Sequence, residues 1–295
     1  MTESAGCSWK HRTFSAKVIG EMEDILITSA SNSRIKEAIR IRERRRPGAE
    51  NLFFIEGTKI VGMALAARVE MREVFFADHF AAKKEGGDLL RLLSETAAAV
   101  CRVADHVFAK LSDTEAPQGI AAVVSYPILS LDTLPPVSPT LCVVIDGVRD
   151  PGNLGTIIRT SDAAGADAVI LLEGTCDAFS TKVIRATAGS IFNLPLALSG
   201  YDELSAWLQK RGMRIAVTAA DAALSIFDAD LTGPIAFVFG NEASGVRKPI
   251  RDAADLAVRI PLYGKAESLN VATAAAICLY EAVRQRTGSR IPRTL

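Results

Sequence analysis

Between Leu141 and Arg286 the sequence keeps returning to short, unbroken apolar runs, at 141–146, 167–172, 192–197, 214–219, 235–240 and 256–261. Helical stretches separate most of them, at 154–165, 180–190, 201–211 and 246–254, and a long one from Ser268 to about Arg286 closes the series. A strand with one wet face alternates apolar and polar residues. These runs do not alternate, so both of their faces are buried. Buried strands joined by helices specify an α/β fold with a parallel sheet covered on both sides. Ligands of such sheets bind beyond the carboxyl ends of the strands, so the segment after each run is a candidate for function.

The preceding hundred residues, 25–126, form a smaller α/β unit. "ASNSRIKEAIRIRERRRPG" has Ser and Asn cap candidates and runs as a helix to a Pro-Gly stop. "LFFIEG" is a strand and "TKIVGMALAARV" a helix; "EVFFA" is a strand, "DLLRLLSETAAAV" a helix and "GIAAVVSYP" a strand. Residues 127–140, with four prolines and one charge, read as a linker to the domain at 141–295. Residues 1–24 read as a flexible extension. They contain no signal-peptide h-region, and Met22 is an alternative start.

Composition excludes several classes. The chain has 295 residues, enough for about two domains of ~150 residues each. No apolar run approaches the ~18 residues of a membrane span. Lysine plus arginine equals aspartate plus glutamate, 34 each, so nucleic-acid binding must rest on a local patch. Such a patch lies in the first helix. Arg34, Lys36, Arg40, Arg42, Arg44, Arg45 and Arg46 face only Glu37 and Glu43, a local balance of +5. The five cysteines include no CxxC pair, which fits free thiols in a reducing compartment and a cytoplasmic location. The three histidines are far apart, so no metal site is expected.

Three segments come after strands and carry polar groups. The first is "DPGNLGTIIRTSDAAG", Asp150–Gly165. It has neither the GK[ST] of a phosphate loop nor GxGxxG, so classical nucleotide binding loses weight. Asn153 can cap the helix that begins there. Arg159 leans back over Gly155, either as a surface arginine paired with Asp162 or as a site residue. The second is "FGNEASG", which places Asn241 and Glu242 at a strand tip between Gly240 and Gly245. The third is "IPLYGKAESLNVATAAA", with Ser268 and Asn270 at a helix N-terminus, where capping or anion binding are both open.

Taken in order, the three segments resemble the motifs of the SpoU family of RNA 2′-O-ribose methyltransferases, of the SPOUT class. Asn153, Gly155 and Arg159 match the first motif, Gly240–Gly245 the second, and Ser268, Leu269 and Asn270 the centre of the third. "ASNSRIKEAIR", Phe54–Gly57 and "TEAPQGIAAVV" resemble the family's small L30e-like substrate-binding domain. The resemblance implies a trefoil-knotted catalytic domain, dimeric through the knot. It implies S-adenosylmethionine as cofactor, held by Thr218, Ala219, Gly240, Asn241, Glu242, Ile260, Leu262, Ser268, Leu269 and Asn270. It assigns Arg159 to the reacting 2′-hydroxyl, with Asn153, Glu242, Ser268 and Asn270 positioning the reactants, and makes Gly155 clearance for Arg159. RNA contacts are expected from the basic patch and from Arg149 and Arg185. Ribosomal RNA is the expected substrate. Transfer RNA, or a non-catalytic ribosome-assembly role on the same fold, are the alternatives.

Overall fold

A computed structural model describes residues 26–43, 51–135 and 140–287. The first unit runs α1 (Ser33–Glu43), β1 (Leu52–Glu56), α2 (Thr58–Ala66), β2 (Glu70–Phe76), α3 (Asp78–Ala81), α4 (Lys84–Ser94), β3 (Ala99–Arg102), α5 (Asp105–Leu111) and β4 (Ile120–Ser125). Its four strands lie in the order β1-β4-β2-β3. β4 is antiparallel to both neighbours, and β3 is parallel to β2. α1 buries Ile35, Ala38 and Ile41, spaced three apart along one helix face. The helix expected over "DLLRLLSETAAAV" stops at Ser94, and its last alanine and valine open β3.

The second unit runs β5 (Leu141–Asp146), α6 (Pro151–Ala163), β6 (Ala168–Leu172), α7 (Thr181–Thr187), β7 (Leu196–Ser199), α8 (Tyr201–Lys210), β8 (Arg214–Thr218), β9 (Leu224–Ser225), β10 (Ile235–Gly240), α9 (Lys248–Asp252), β11 (Leu256–Arg259) and α10 (Val271–Thr287). All seven strands are parallel, in the order β7-β6-β5-β10-β8-β11-β9. The chain winds one way from β5 through β7, then reverses to build the other half. The switch falls between β5 and β10, where open α/β sheets bind ligands. β7 begins later than its apolar run because Ser190–Phe192 forms a 3-10 turn ahead of Pro195. α10 begins at Val271 rather than Ser268, after a loop from 260 to 270.

The described part of the proline-rich segment, 127–135, is packed rather than free. Leu129 pairs with the β7 edge at Ala197, Leu131 and Leu134 are buried, and Trp207 donates Nε1–H to the Leu131 carbonyl at 3.0 Å. The two units also share one core. Phe53 of β1 sits 4.6 Å from Phe179, ring centre to ring centre, and Tyr126 packs between Phe53, Phe179 and Phe192. Asp113, beyond α5, accepts hydrogen bonds from Thr181 and Arg185 of α7.

Candidate active site

The three motif segments converge on the switch point through one chain of side-chain hydrogen bonds. Asp150, not Asn153, caps α6, accepting the Asn153 N–H at 2.8 Å. That leaves the Asn153 carboxamide free to reach outward. Its Nδ2 donates to Glu242 Oε1 at 3.0 Å, and its Oδ1 accepts from Asn270 Nδ2 at 2.8 Å. Asn270 is itself held as the cap of α10, its Oδ1 accepting the Ala272 and Thr273 N–H groups. The cap fixes the Asn270 amide, which fixes Asn153, which aims a donor at Glu242. Glu242 also accepts the backbone N–H groups of Arg149 and Asp150, each at 3.3 Å. Burial would raise its pKa, but these hydrogen bonds outweigh burial and hold the carboxyl below its ordinary value, as an anion.

The loop that carries Glu242 is fastened on both sides. Asn241 donates to the Gly147 carbonyl at 2.8 Å and accepts from the Ala243 and Ser244 N–H groups. The buried carboxylate of Asp146, at the end of β5, accepts from Arg247 N at 2.8 Å and Arg247 Nε at 2.5 Å. Gly240 is required here. A Cβ on it would lie 2.2 Å from the Gly245 carbonyl carbon, where the loop folds back over the strand tip.

Beside this loop opens a cavity of about 410 Å3 between the carboxyl ends of β8, β10 and β11 and the start of α10. Thr218, Ala219, Gly240, Asn241, Glu242, Ile260, Leu262, Ser268, Leu269 and Asn270, the ten residues assigned to the cofactor, all line it. Sequence reasoning missed Ala220, Gly245, Val258, Arg259, Val271 and Ala274, which complete the wall. Arg259 ends β11, so the strand-end rule could have found it. Its guanidinium donates to the Ala222 and Ala223 carbonyls and closes the turn opposite. A lining that mixes apolar side chains with polar groups, and a volume in the ~300–1,000 Å3 range, suit a small polar organic cofactor.

Arg159 stands apart from the cavity, exposed on α6. Among the described residues it has neither hydrogen bond nor ion pair. The candidate partner Asp162 instead accepts from Asn193 Nδ2 at 3.2 Å. Its guanidinium is therefore uncommitted. Gly155 is not clearance for it. A Cβ on Gly155 would lie 2.4 Å from Ala186 Cβ and 2.8 Å from the Val183 carbonyl oxygen, so the glycine lets α6 and α7 meet.

Residues 140–280 match the model of the SpoU rRNA methylase family, and residues 32–122 match the MRM3-like substrate-binding domain. The 23S rRNA (guanosine(2553)-2′-O)-methyltransferase RlmP of Bacillus subtilis is 36% identical over 254 residues, 86% of this chain and 97% of that protein. The chain belongs to the SpoU family. The 23S rRNA (uridine(2479)-2′-O)-methyltransferase of Streptomyces viridochromogenes is 33% identical, over 86% of this chain and 89% of that one. The crystal structure of the SpoU methyltransferase AviRb from the same organism, in complex with AdoMet, superposes with a TM-score of 0.80 at 30% identity, over 88% of this chain and all of that one. An AdoMet-bound rRNA methyltransferase from Sinorhizobium meliloti gives the same TM-score and identity, over 88% of this chain and 97% of that one.

The basic residues of this SpoU chain divide by environment. Arg149 is exposed, and only its backbone is engaged by Glu242. Lys36 is exposed on α1. Arg34 contacts Glu73 and Cys101, and Arg40 pairs with Glu37. Arg42 is committed inside the protein. It donates to the carbonyls of Lys110, Leu111 and Ser112 at the end of α5, and its side chain is only 13% exposed. Arg185 is likewise engaged at the joint between the units, through Asp113. Arg44, Arg45 and Arg46 lie outside the described residues. Among the described residues no cluster of His, Cys, Asp or Glu is placed to hold a metal ion, and no helix is long and apolar enough to cross a membrane.

Proposed function

We propose that this chain methylates a ribose 2′-hydroxyl in ribosomal RNA, with S-adenosylmethionine in the cavity at the strand ends. The observation that carries the reading is the Asn270–Asn153–Glu242 chain, which joins all three family motifs at the mouth of that cavity. Backbone groups of Thr218–Ala219, Gly240–Glu242, Ile260–Leu262 and Ser268–Asn270 hold the cofactor. When bound, it supplies an electrophilic methyl group on sulfur.

The harder partner is the ribose hydroxyl, a very weak acid. The Arg159 guanidinium offers a positive charge and several N–H donors in a planar fork, so its part is to stabilise the oxygen as negative charge develops there, or to clamp a flanking phosphate. Its lack of a partner among the described residues suits that part, because no ion pair seen there has to break when RNA arrives. Asn153 sits between Glu242 and Asn270 and is oriented at both ends, which makes it the positioning group for the ribose. Ser268 lines the same mouth.

The unit at 25–126 holds the RNA, with Lys36 and the run Arg44–Arg46 as its phosphate contacts, and Arg149 adds one from the unit at 141–295. The protein works as a homodimer through the knotted domain, where the exposed Thr273 and Tyr280 of α10 face outward. It acts in the cytoplasm. Ribose-methylation mapping of total RNA from cells with and without the gene tests the reading. A single 23S rRNA position that loses its mark in the deletion strain is the expected result, and an unchanged map overturns it.

A further inference from the structure

Tyr263 is 94% exposed, far more than any other large apolar residue among those described. It sits in the loop between β11 and α10, next to Leu262, which lines the cavity. Its ring makes no stacking contact and its hydroxyl no hydrogen bond among the described residues. Gly264 comes next, with open space where a Cβ would be, and then Lys265, exposed and without an ion pair among the described residues. An aromatic ring displayed beside a lysine on an open loop is the pairing that binds unpaired nucleotides: the ring stacks on a base and the ammonium meets the backbone.

The reaction itself creates the need for such a ring. A ribose hydroxyl enters a cavity at the strand ends most easily from an unpaired nucleotide splayed out of the stack. Its neighbour then loses a stacking partner. A ring at the rim replaces that partner at the place where it was lost. From this we infer that Tyr263 stacks on an unpaired base next to the methylated nucleotide, with Lys265 on the adjoining phosphate. The inference rests on the proposed function and adds to it a residue that holds the RNA open beside the site.

The test uses the full chain and an unmodified 23S rRNA transcript. Tyr263→Ala should raise the Kd for the transcript about 5- to 150-fold, the range for losing one stacked base. The Kd for S-adenosylmethionine should stay within about twofold, because the ring is not part of the cavity wall. Tyr263→Phe should restore RNA binding and Tyr263→Leu should not, since stacking needs a flat π face. Lys265→Ala should lower the salt slope of binding by about one. Equal RNA affinity of wild type and Tyr263→Ala overturns the inference, and so does a leucine variant as good as phenylalanine. A shift in sedimentation of the RNA-free Tyr263→Ala protein overturns it too, because the ring would then serve a contact between copies. If the wild type methylates the transcript and Tyr263→Ala binds it equally well, this inference alone fails. If the wild type methylates no ribose, the proposed function fails and takes the inference with it.

Discussion

Replacing Gly155 by alanine adds one methyl group and turns the packing of α6 on α7 into a test of sign. The new carbon would lie 2.4 Å from Ala186 Cβ, 2.8 Å from the Val183 carbonyl oxygen and 3.1 Å from the Ala186 carbonyl carbon. Non-bonded carbons prefer about 3.5–4.0 Å. The helices must therefore part by roughly 1 Å. Two of the three contacts are with backbone, which no change of rotamer relieves. Overpacking of this kind costs about 1–3 kcal/mol. Against it, alanine is better than glycine inside a helix by about 1 kcal/mol. The net expectation is a loss of up to about 2 kcal/mol, read as a lower urea midpoint at unchanged slope. If Gly155 merely cleared space for a neighbouring side chain, only the helix preference would act and the variant would be about 1 kcal/mol more stable. Adding Ala186→Gly removes the shortest contact, so the double variant should lose less than the two single losses combined. A midpoint for Gly155→Ala at or above the parent's refutes the packing argument.

Arg159→Ala should abolish methyl transfer while leaving S-adenosylmethionine affinity within a few-fold and stability unchanged, since no protein group loses a partner; full activity in single-turnover assays would remove Arg159 from the chemistry. Glu242 has a depressed pKa in the folded protein, so its hydrogen bonds contribute stability above the ordinary carboxylate pKa and lose it as pH falls through the folded value, below about 4.5. Glu242→Gln should flatten that part of an acid-denaturation curve, and an identical curve for both proteins would contradict the assignment. Changing Arg44, Arg45 and Arg46 to glutamate should weaken RNA binding and reduce its salt dependence with S-adenosylmethionine binding intact. Unchanged RNA affinity on filter binding would take the run out of the RNA surface.

Much of the fold is legible because burial on both faces leaves runs such as "LCVVID" and "IAFVFG" with no polar interruption, and both are strands to the residue. Legibility fails where local preference and tertiary demand disagree. Ala99 and Val100 come after a helix and look like its continuation, yet the edge of β2 recruits them as β3. β9 has two residues, too few for any pattern. Ser268 looks like a helix start, but Asn270 has the geometry that satisfies the first N–H groups of α10. The cavity lining was readable only through the order of three motifs, because its residues come from four separate strand ends and loops. The link from Asn270 to Asn153 spans 117 positions, and no local signal announces it. Arg42 and Arg185 carry the same lesson. Their charge is visible in the sequence, but the carbonyls and carboxylate that occupy them lie 68 to 72 residues away.

The shared core of the two units has a consequence for substrate choice. Phe53, Tyr126, Phe179 and Phe192 interlock across the joint, and Asp113 bonds Thr181 and Arg185 at its rim. A tethered domain could swing to suit many RNAs. A fused one behaves as a caliper with its jaws set. The distance between the proposed RNA grip and the proposed methyl-transfer site is then a constant of the protein, and an RNA would be accepted when its own folded geometry spans that gap. Selectivity of this kind needs no base to be read, and it should survive as long as the aromatic joint does. The same fusion should make the whole molecule melt in one transition rather than two.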